Sequence, residues 1–154
     1  PPAETAIFAT QSKPFQPALS VGDRLAFALR VNATVARKDG AGRGRRHDVA
    51  MDALKDVASG GRAALRQERA ESAARDWLET RAEVSGFRLT ALRLHSYRAA
   101  RLPRRGGAKA SFGVFDLEGL LEIADPPAFL ERLRQGFGRA KAFGCGLMLI
   151  RRAG

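Results

Sequence analysis

The segment Gly136–Gly146 combines the residue types that bind a phosphate group. Its relevant members are Gly136, Gly138, Arg139, Lys141, Gly144 and Gly146. Glycine accepts positive φ angles and a close neighbouring backbone, so N–H groups in such a loop can converge on an anion. The segment therefore predicts a phosphate-binding loop, and a helix cap followed by a tight turn is the alternative. Because the glycines follow a predicted helix and precede a predicted strand, a dinucleotide-binding GxGxxG motif is excluded.

A second candidate is the stretch Arg98–Lys109, which lies in a long part of the chain without acids. No Asp or Glu occurs between Glu83 and Asp116. The predicted contacts are Arg98, Arg101, Arg104, Arg105 and Lys109. The deep major groove of A-form RNA excludes a globular surface, whereas a narrow basic hairpin can reach its phosphates. The alternative for this stretch is a solvated loop without a partner.

The whole chain is strongly basic. Its 154 residues include 27 Lys+Arg against 16 Asp+Glu, a net charge of +11, and 22 of the cations are arginine. Arginine grips phosphate with a planar fork, so a polyanionic partner is favoured, although an arginine-rich composition also follows from a GC-rich genome. A single cysteine excludes a disulfide framework and a multi-cysteine zinc site. The sequence contains no apolar run long enough to predict a membrane span.

Hydrophobic periodicity predicts the elements that position these two segments. Alternation predicts a half-buried strand over 24–35, with Asn32 and Thr34 on its polar face. Three- and four-residue spacing predicts an amphipathic helix over 67–84, ended by Gly86. The remaining predictions are a flexible basic loop over 37–46, an imperfect strand over 87–97, a strand over 112–123, a helix capped by Asp125 and a strand over 146–151.

The order strand, helix, strand, strand, helix, strand is typical of the ferredoxin-like βαββαβ fold, an α+β architecture. We expect residues 19–154 to form this domain. Residues 1–18 look like the tail of a preceding unit and a linker, because Pro14 and Pro17 interrupt them. Within the strand over 87–97, Arg93 and His95 share the parity of Phe87 and Leu89, which either a bulge or a strand face of mixed burial would explain.

Three segments of the sequence resemble those of a known protein family. The glycine-rich segment GFGRAKAFGCGLMLI, closing a ferredoxin-like fold, resembles the signature of CRISPR RNA-processing endoribonucleases of the CasE (Cse) type. The segment Phe27–Asn32, which follows Val21-Gly22-Asp23, and the stretch Phe115–Leu121 are also similar to this family. The resemblance covers residues 19 to 151, and the C-terminal loop is its most specific part.

The resemblance implies two tandem ferredoxin-like domains, of which we expect the first to be largely absent here. Members bind the repeat hairpin of precursor CRISPR RNA, cut at its 3′ base, and stay with the guide and the other subunits of the cytoplasmic Cascade complex. Cleavage uses the ribose 2′-OH with a general acid/base His and a nearby Tyr of the first domain. We therefore expect no metal, no cofactor and no catalytic residue within this chain.

Other chemically able residues have less specific interpretations. His47 is expected to be solvated, and His95 to be structural or to face RNA. Tyr97 could stack on a base or pack, whereas Trp77 and Cys145 are expected in the core. Two rival functions stay open: a non-catalytic RRM-type RNA-binding module, which needs exposed aromatics on its central strands, and a membrane-surface protein, which the loop position of the basic segments disfavours.

Overall fold

The computed structural model describes residues 13–38, 40, 42–103 and 109–153. Its main sheet has four antiparallel strands in the order β4-β5-β1-β6. The elements are β1 (Arg24–Val31), β2 (Thr34–Lys38), β3 (Gly44–Asp48), α1 (Val49–Ala53), α2 (Arg62–Ala82), β4 (Phe87–Pro103), β5 (Lys109–Ile123), α3 (Pro126–Gln135) and β6 (Met148–Arg152). Without β2, β3 and α1, this order is the predicted ferredoxin-like βαββαβ fold.

The core lies between one face of the sheet and the two long helices. Alternate residues of β1 are buried, as predicted, because the helices cover only one face of the strand. The predicted apolar stripe of α2 is buried in full: Ala70, Ala74, Trp77, Leu78 and Ala82. The opposite face of the sheet is open, and its residues include Ala26, Ala28 and the exposed Leu149.

The helix ends follow the predicted chemistry. Asp125 caps α3 by accepting a hydrogen bond from the Ala128 amide, and prolines occupy the first helical positions. Gly86 takes a φ of 73° after the short 3-10 turn that follows α2, which confirms it as the end of that helix. The start of α2 was predicted too late, since the helix begins at Arg62, where Ala63 and Ala64 carry no amphipathic pattern.

The imperfect strand contains a bulge, which was one of the two explanations left open by its sequence. The register of β4 against β5 shifts between Leu89 and Ala91, and again between Leu94 and Ser96. The first shift buries Leu92 and Leu94 and leaves Arg93 and His95 exposed on the open face. One extra residue in β4 therefore reverses which side chains face the core. This explains why Arg93 and His95 share the parity of Phe87 in the sequence and yet lie on the opposite face of the sheet.

Two strand regions were missed or predicted too short. The basic run over 37–46 was expected to be a flexible loop, but both of its ends are strand, because β2 pairs with β3 in an antiparallel hairpin. The strands predicted over 87–97 and 112–123 are longer than expected, because the β4–β5 pairing continues as far as Pro103 and Lys109. Neither strand shows alternation in its sequence, because in both stretches most of the described side chains are exposed and only the backbone pairing holds the strand.

Two contacts join the described residues before β1 to the rest of the fold. Leu19 packs against the core, and the guanidinium of Arg152 donates to the Ala18 carbonyl at 2.8 Å. The division into residues 1–18 and 19–154 stays a prediction, and residues 1–12 lie outside the described part. Among the described residues no helix is long and apolar enough to cross a membrane.

Candidate nucleic-acid interface

The basic segment after Tyr97 forms a two-stranded ribbon. We use "basic ribbon" for Arg98–Pro103 paired with Lys109–Val114. The ladder between β1 and β5 ends at the pair Val31–Phe115, so the ribbon extends past the end of β1. A narrow ribbon of this kind is the shape that can enter a nucleic-acid groove.

The predicted ribbon cations differ in their surroundings. Arg101 is exposed, whereas Arg98, half-exposed, lies 3.6 Å from the Asp116 carboxylate at the root of the ribbon. The backbone of Lys109 is in the ladder opposite Pro103. Arg104 and Arg105 lie outside the described residues. The described structure therefore places Arg98 at the root of the ribbon and Arg101 further along it.

Asp116 organises the root of the ribbon on the open face. The Arg30 Nε donates to its carboxylate at 2.6 Å, and the Ser96 hydroxyl donates at 2.8 Å. Although burial by itself raises the pKa of the Asp116 carboxyl, the hydrogen bonds and charge of Arg30, with smaller effects of Ser96 and Arg98, leave the pKa below its ordinary value. The carboxylate stays charged and holds Arg30 and Arg98 in place.

The loop Gly136–Gly146, here called the glycine loop, turns many of its N–H groups inward. The Phe137 amide donates to the Gly146 carbonyl at 2.8 Å, and the Gly146 amide donates to the Arg30 carbonyl at 2.7 Å. The Arg139 amide donates to the Asn32 carbonyl at 3.2 Å. These donors are committed to the fold, so the reason given for the loop from its sequence, an outward nest of N–H groups, does not apply to them.

The glycines serve close packing against the end of β1. A Cβ on Gly138 would lie 2.7 Å from the Asn32 carbonyl oxygen and 2.7 Å from a Val31 methyl carbon. A Cβ on Gly146 would lie 2.6 Å from the Phe137 carbonyl oxygen. Ala140 takes a φ of 55°, a left-handed conformation that costs a residue with a Cβ about 1 kcal/mol. The loop is therefore a tightly fitted, slightly strained connection.

The outward side of the glycine loop carries its chemistry in side chains. Arg139 and Lys141 are exposed, and the Lys141 ammonium donates to the Gln135 carbonyl at the end of α3. Phe143 is 57% exposed, and its ring lies 5.5 Å from the Phe112 ring of the basic ribbon. The loop thus presents two cations and an aromatic ring beside the ribbon.

Asn32 joins the glycine loop to the basic ribbon. Its side-chain amide donates to the Gly113 carbonyl of the ribbon at 2.7 Å, and its own carbonyl accepts from Arg139 of the loop. The residue is 5% exposed, so both contacts are protected from water. Alternation had placed Asn32 on the polar face, but the chain passes from β1 to the inserted hairpin at this point and buries it.

The structure also shows where the two histidines and the remaining candidate residues from the sequence lie. His47 is exposed on β3 and His95 on the open face. Trp77 and Cys145 are buried, as predicted, and burial raises the pKa of the Cys145 thiol. Tyr97 packs against Phe115, with ring centroids 4.7 Å apart, and its hydroxyl donates to Asp48 at 2.9 Å.

Three residues of the candidate site were not predicted from the sequence: Asn32, Phe143 and Asp48. The two polar residues are unremarkable in sequence, since their burial depends on contacts with residues far along the chain. Phe143 carried no distinguishing signal either, because Phe137 of the same loop lies between two glycines and close to Arg139 in the sequence, yet Phe137 is buried in the core.

Comparison with known proteins gives relatives for this fold and site. The model of a family described as "CRISPR associated protein" matches residues 2–152. A CRISPR-associated endoribonuclease, Cse3 of Thermus thermophilus, is 34% identical over 149 residues, which are 90% of this chain and 60% of the relative. Since the match spans nearly the whole chain, the chain belongs to this CRISPR-associated family, as its glycine loop had suggested.

Solved structures agree with the fold. A structure of the CRISPR endoribonuclease Cse3 bound to a 19-nucleotide RNA matches with a TM-score of 0.63 and 30% identity, over 90% of this chain and 60% of that one. The Cas6e protein of Escherichia coli K-12 matches with a TM-score of 0.52 and 23% identity, over 92% of this chain and 66% of that one, and supports the fold alone. The chain thus spans about 60% of the length of the curated relative.

Proposed function

We propose that this chain is the C-terminal, RNA-binding portion of a metal-independent endoribonuclease that processes precursor CRISPR RNA. It binds the stem-loop of the repeat and stays with the mature guide RNA among the other subunits of the Cascade antiviral complex in the cytoplasm. The observation that carries this proposal is the basic ribbon standing beside the cationic glycine loop, with Asn32 bonded to both. The relative whose structure was solved with RNA supports it.

The basic ribbon is suited to a duplex stem. Its two backbones pair with each other, so it needs no further strand and can enter a deep groove as a narrow rod. Arg98 and Arg101 lie on the described part of this rod, and Arg104, Arg105 and Lys109 add charge to the same stretch of the sequence. Each phosphate that an arginine neutralises releases counterions, which makes binding fall steeply with salt.

The glycine loop is suited to the phosphate where the stem ends. Arg139 and Lys141 supply positive charge, and the inward hydrogen bonds hold the loop in one shape before RNA arrives. A preorganised loop loses little conformational entropy on binding. In the proposed reaction the ribose 2′-OH attacks the adjacent phosphate and the bond to the following nucleotide breaks, while these cations stabilise the phosphate charge. No catalytic acid or base is assigned to this chain.

A binding assay with the repeat hairpin tests the proposal. Replacing Arg101, Arg104 and Arg105 with Ala should weaken binding of a labelled repeat RNA by about 10- to 100-fold and reduce the salt slope by about 2 to 3. The matched control replaces Arg69, Arg88 and Arg134, which are exposed on α2, β4 and α3, with Ala and removes the same charge. Equal losses in the two triple variants would contradict a ribbon-specific contact.

The RRM-type alternative gains nothing from the structure. Such modules stack bases on aromatic rings of their central strands. Here the open face of β1 carries Ala26 and Ala28, and that of β5 carries Asp116 and Glu118. Arg24 and Arg30 of β1 share these faces, so where β1 and β5 pair they offer small, acidic and basic side chains and no exposed aromatic ring.

A further inference from the structure

The inserted hairpin of β2 and β3, here called the basic arm, is a second concentration of positive charge. Residues 37–46 contain five cations, Arg37, Lys38, Arg43, Arg45 and Arg46, against the single acid Asp39. Lys38, Arg45 and Arg46 are exposed. Neighbouring residues of a strand point to opposite faces, so Arg45 and Arg46 place charge on both sides of the arm.

The pairing within the arm sets like charges against each other. Arg37 lies directly opposite Arg45, and cross-strand pairs of like charge destabilise a hairpin. Arg37 is relieved by Asp52 of α1, whose carboxylate lies 2.6 Å from its guanidinium. Arg45 keeps its charge on the exposed strand. The Arg37–Arg45 pair costs stability while the arm is unbound. Its presence is explained if an external anion binds to the arm and offsets the repulsion.

The root of the arm is fastened to the root of the basic ribbon. Asp48, the last residue of β3, caps α1 by accepting from the Ala50 and Met51 amides, and the Tyr97 hydroxyl donates to the same oxygen at 2.9 Å. A Cβ on Gly113 would lie 1.6 Å from the other carboxylate oxygen, Oδ2. Asp48 therefore lies against Gly113 of the ribbon and against Tyr97, the residue just before the ribbon's other strand.

A second contact holds the other strand of the arm. The Trp77 indole N–H donates to the Thr34 carbonyl at 3.2 Å, so the first residue of β2 is tied to α2. Arg66 of the same helix lies over the Tyr97 ring, 5.3 Å from its centroid. With both strands fixed at their roots, the direction in which the arm leaves the fold is set by the core.

We propose that the basic arm binds the phosphate backbone of the same RNA duplex as the basic ribbon, and that the Asp48–Tyr97 contact is a positioning contact between the two. This inference rests on the proposed function and adds Lys38, Arg45 and Arg46 to the RNA-binding surface. The arm recognises phosphates without reading the bases, since it offers cations in quantity and no Phe, Tyr or Trp.

A protein partner fits the arm less well than RNA. Binding sites for proteins depend on buried aromatic or large apolar anchors. Among the described residues of the arm, those exposed besides its cations and His47 are Ala36, Gly40, Gly42 and Gly44. Arginine forks with glycine between them suit a continuous line of phosphates, because bidentate contacts can form wherever the backbone passes.

The charge of the arm is tested first. Replacing Arg45 and Arg46 with Ala should weaken binding of the repeat hairpin by about 5- to 30-fold and lower the salt slope by about 1 to 2. A blunt RNA duplex of unrelated sequence should show the same relative loss. The control R88A/R134A removes equal charge from β4 and α3. If R45A/R46A binds like this control while the ribbon variants still lose affinity, the inference about the arm fails and the proposed function stands. If the ribbon variants also match their control, the proposed function itself fails.

The positioning contact is tested with a double-mutant cycle. Tyr97→Phe removes only the hydroxyl that donates to Asp48 and keeps the ring against Phe115. In the Y97F background the loss caused by R45A/R46A should fall to less than about half of its wild-type factor, with a matching change in salt slope. A purely structural role for Tyr97 would lower stability and leave that factor unchanged, and this result would overturn the positioning claim.

Discussion

The glycine loop and the basic ribbon lie side by side, yet they are built in opposite ways. The loop turns its backbone donors inward and fits its glycines against β1, with Gly138 in contact distance of Asn32 and Val31. The ribbon pairs its backbone with itself beyond β1, and Arg101 reaches into solvent. The conformation of the loop therefore depends on packing, whereas the proposed function of the ribbon depends on the charge of its side chains.

The difference teaches how similar residue types can serve different physical ends. Both segments carry exposed cations, and both predicted phosphate contact from their sequence. A change in the loop backbone should alter the stability of the fold, and a change in ribbon side chains should alter RNA affinity at nearly constant stability. Substitutions that separate these two readouts test the comparison directly.

The largest effect is expected for crowding in the loop. Gly138→Ala adds a Cβ that meets the Asn32 carbonyl and the Val31 side chain, and it also forces a φ of 65° on an alanine. We expect the free energy of unfolding to fall by about 2–4 kcal/mol in urea titrations.

Gly144→Ala is the matched control for this prediction. Gly144 has a φ of 76°, but its added Cβ would meet nothing within 4 Å. This variant should lose only the conformational term, about 1 kcal/mol. Equal losses for the two variants would mean that strain alone, without packing against β1, accounts for the glycines.

An intermediate effect is expected at Phe143, the exposed aromatic ring of the glycine loop. Phe143→Ala removes an exposed ring beside Phe112 and should weaken repeat-RNA binding by about 1–2 kcal/mol, if the ring stacks on an unpaired base next to the stem. Fluorescence anisotropy with and without nucleotides flanking the hairpin would measure this. Phe143→Trp should preserve binding, and an equal loss with the flanks removed would rule out stacking on those nucleotides.

The smallest expected effects are changes of stability with pH, at Asp48 at the root of the basic arm and at Asp116 at the root of the basic ribbon. Burial raises the pKa of the Asp48 carboxyl, against the opposing hydrogen bonds from Met51, Tyr97 and Ala50. A raised folded pKa means that the folded state binds the proton more tightly, so the contribution of Asp48 to stability declines as the pH rises above about 4. Asp48→Asn should therefore gain stability relative to the wild type as the pH rises through that range.

Asp116 provides the opposite case. Its pKa is lowered in the fold, so its contribution is present above the unfolded pKa of about 3.9 and is lost as the pH falls through the folded value. Asp116→Asn should be less stable than the wild type near neutral pH, and the difference should shrink in acid. Chemical denaturation at a series of pH values measures both variants, and parallel pH profiles would contradict the two assignments.

Much of the fold could be predicted from periodicity. The alternation in β1, the buried stripe of α2 and the Asp125 cap each depend on residues close in sequence, and each was confirmed. The basic arm could not be predicted, since β2 and β3 hold each other by backbone pairing, which leaves no pattern in exposed side chains. For the same reason the strands of the ribbon were predicted too short.

The candidate site divides along the same line. The sequence by itself determined the order of the elements, the excess of arginine and the family resemblance carried by the glycine loop. Only the tertiary structure decided that the N–H groups of Phe137, Arg139 and Gly146 point inward, that Asn32 joins the loop to the ribbon, and that Asp48 joins the arm to it. Local patterns record which face of a strand or helix is buried, whereas these contacts link residues distant in the chain and exist only once the core has brought them together.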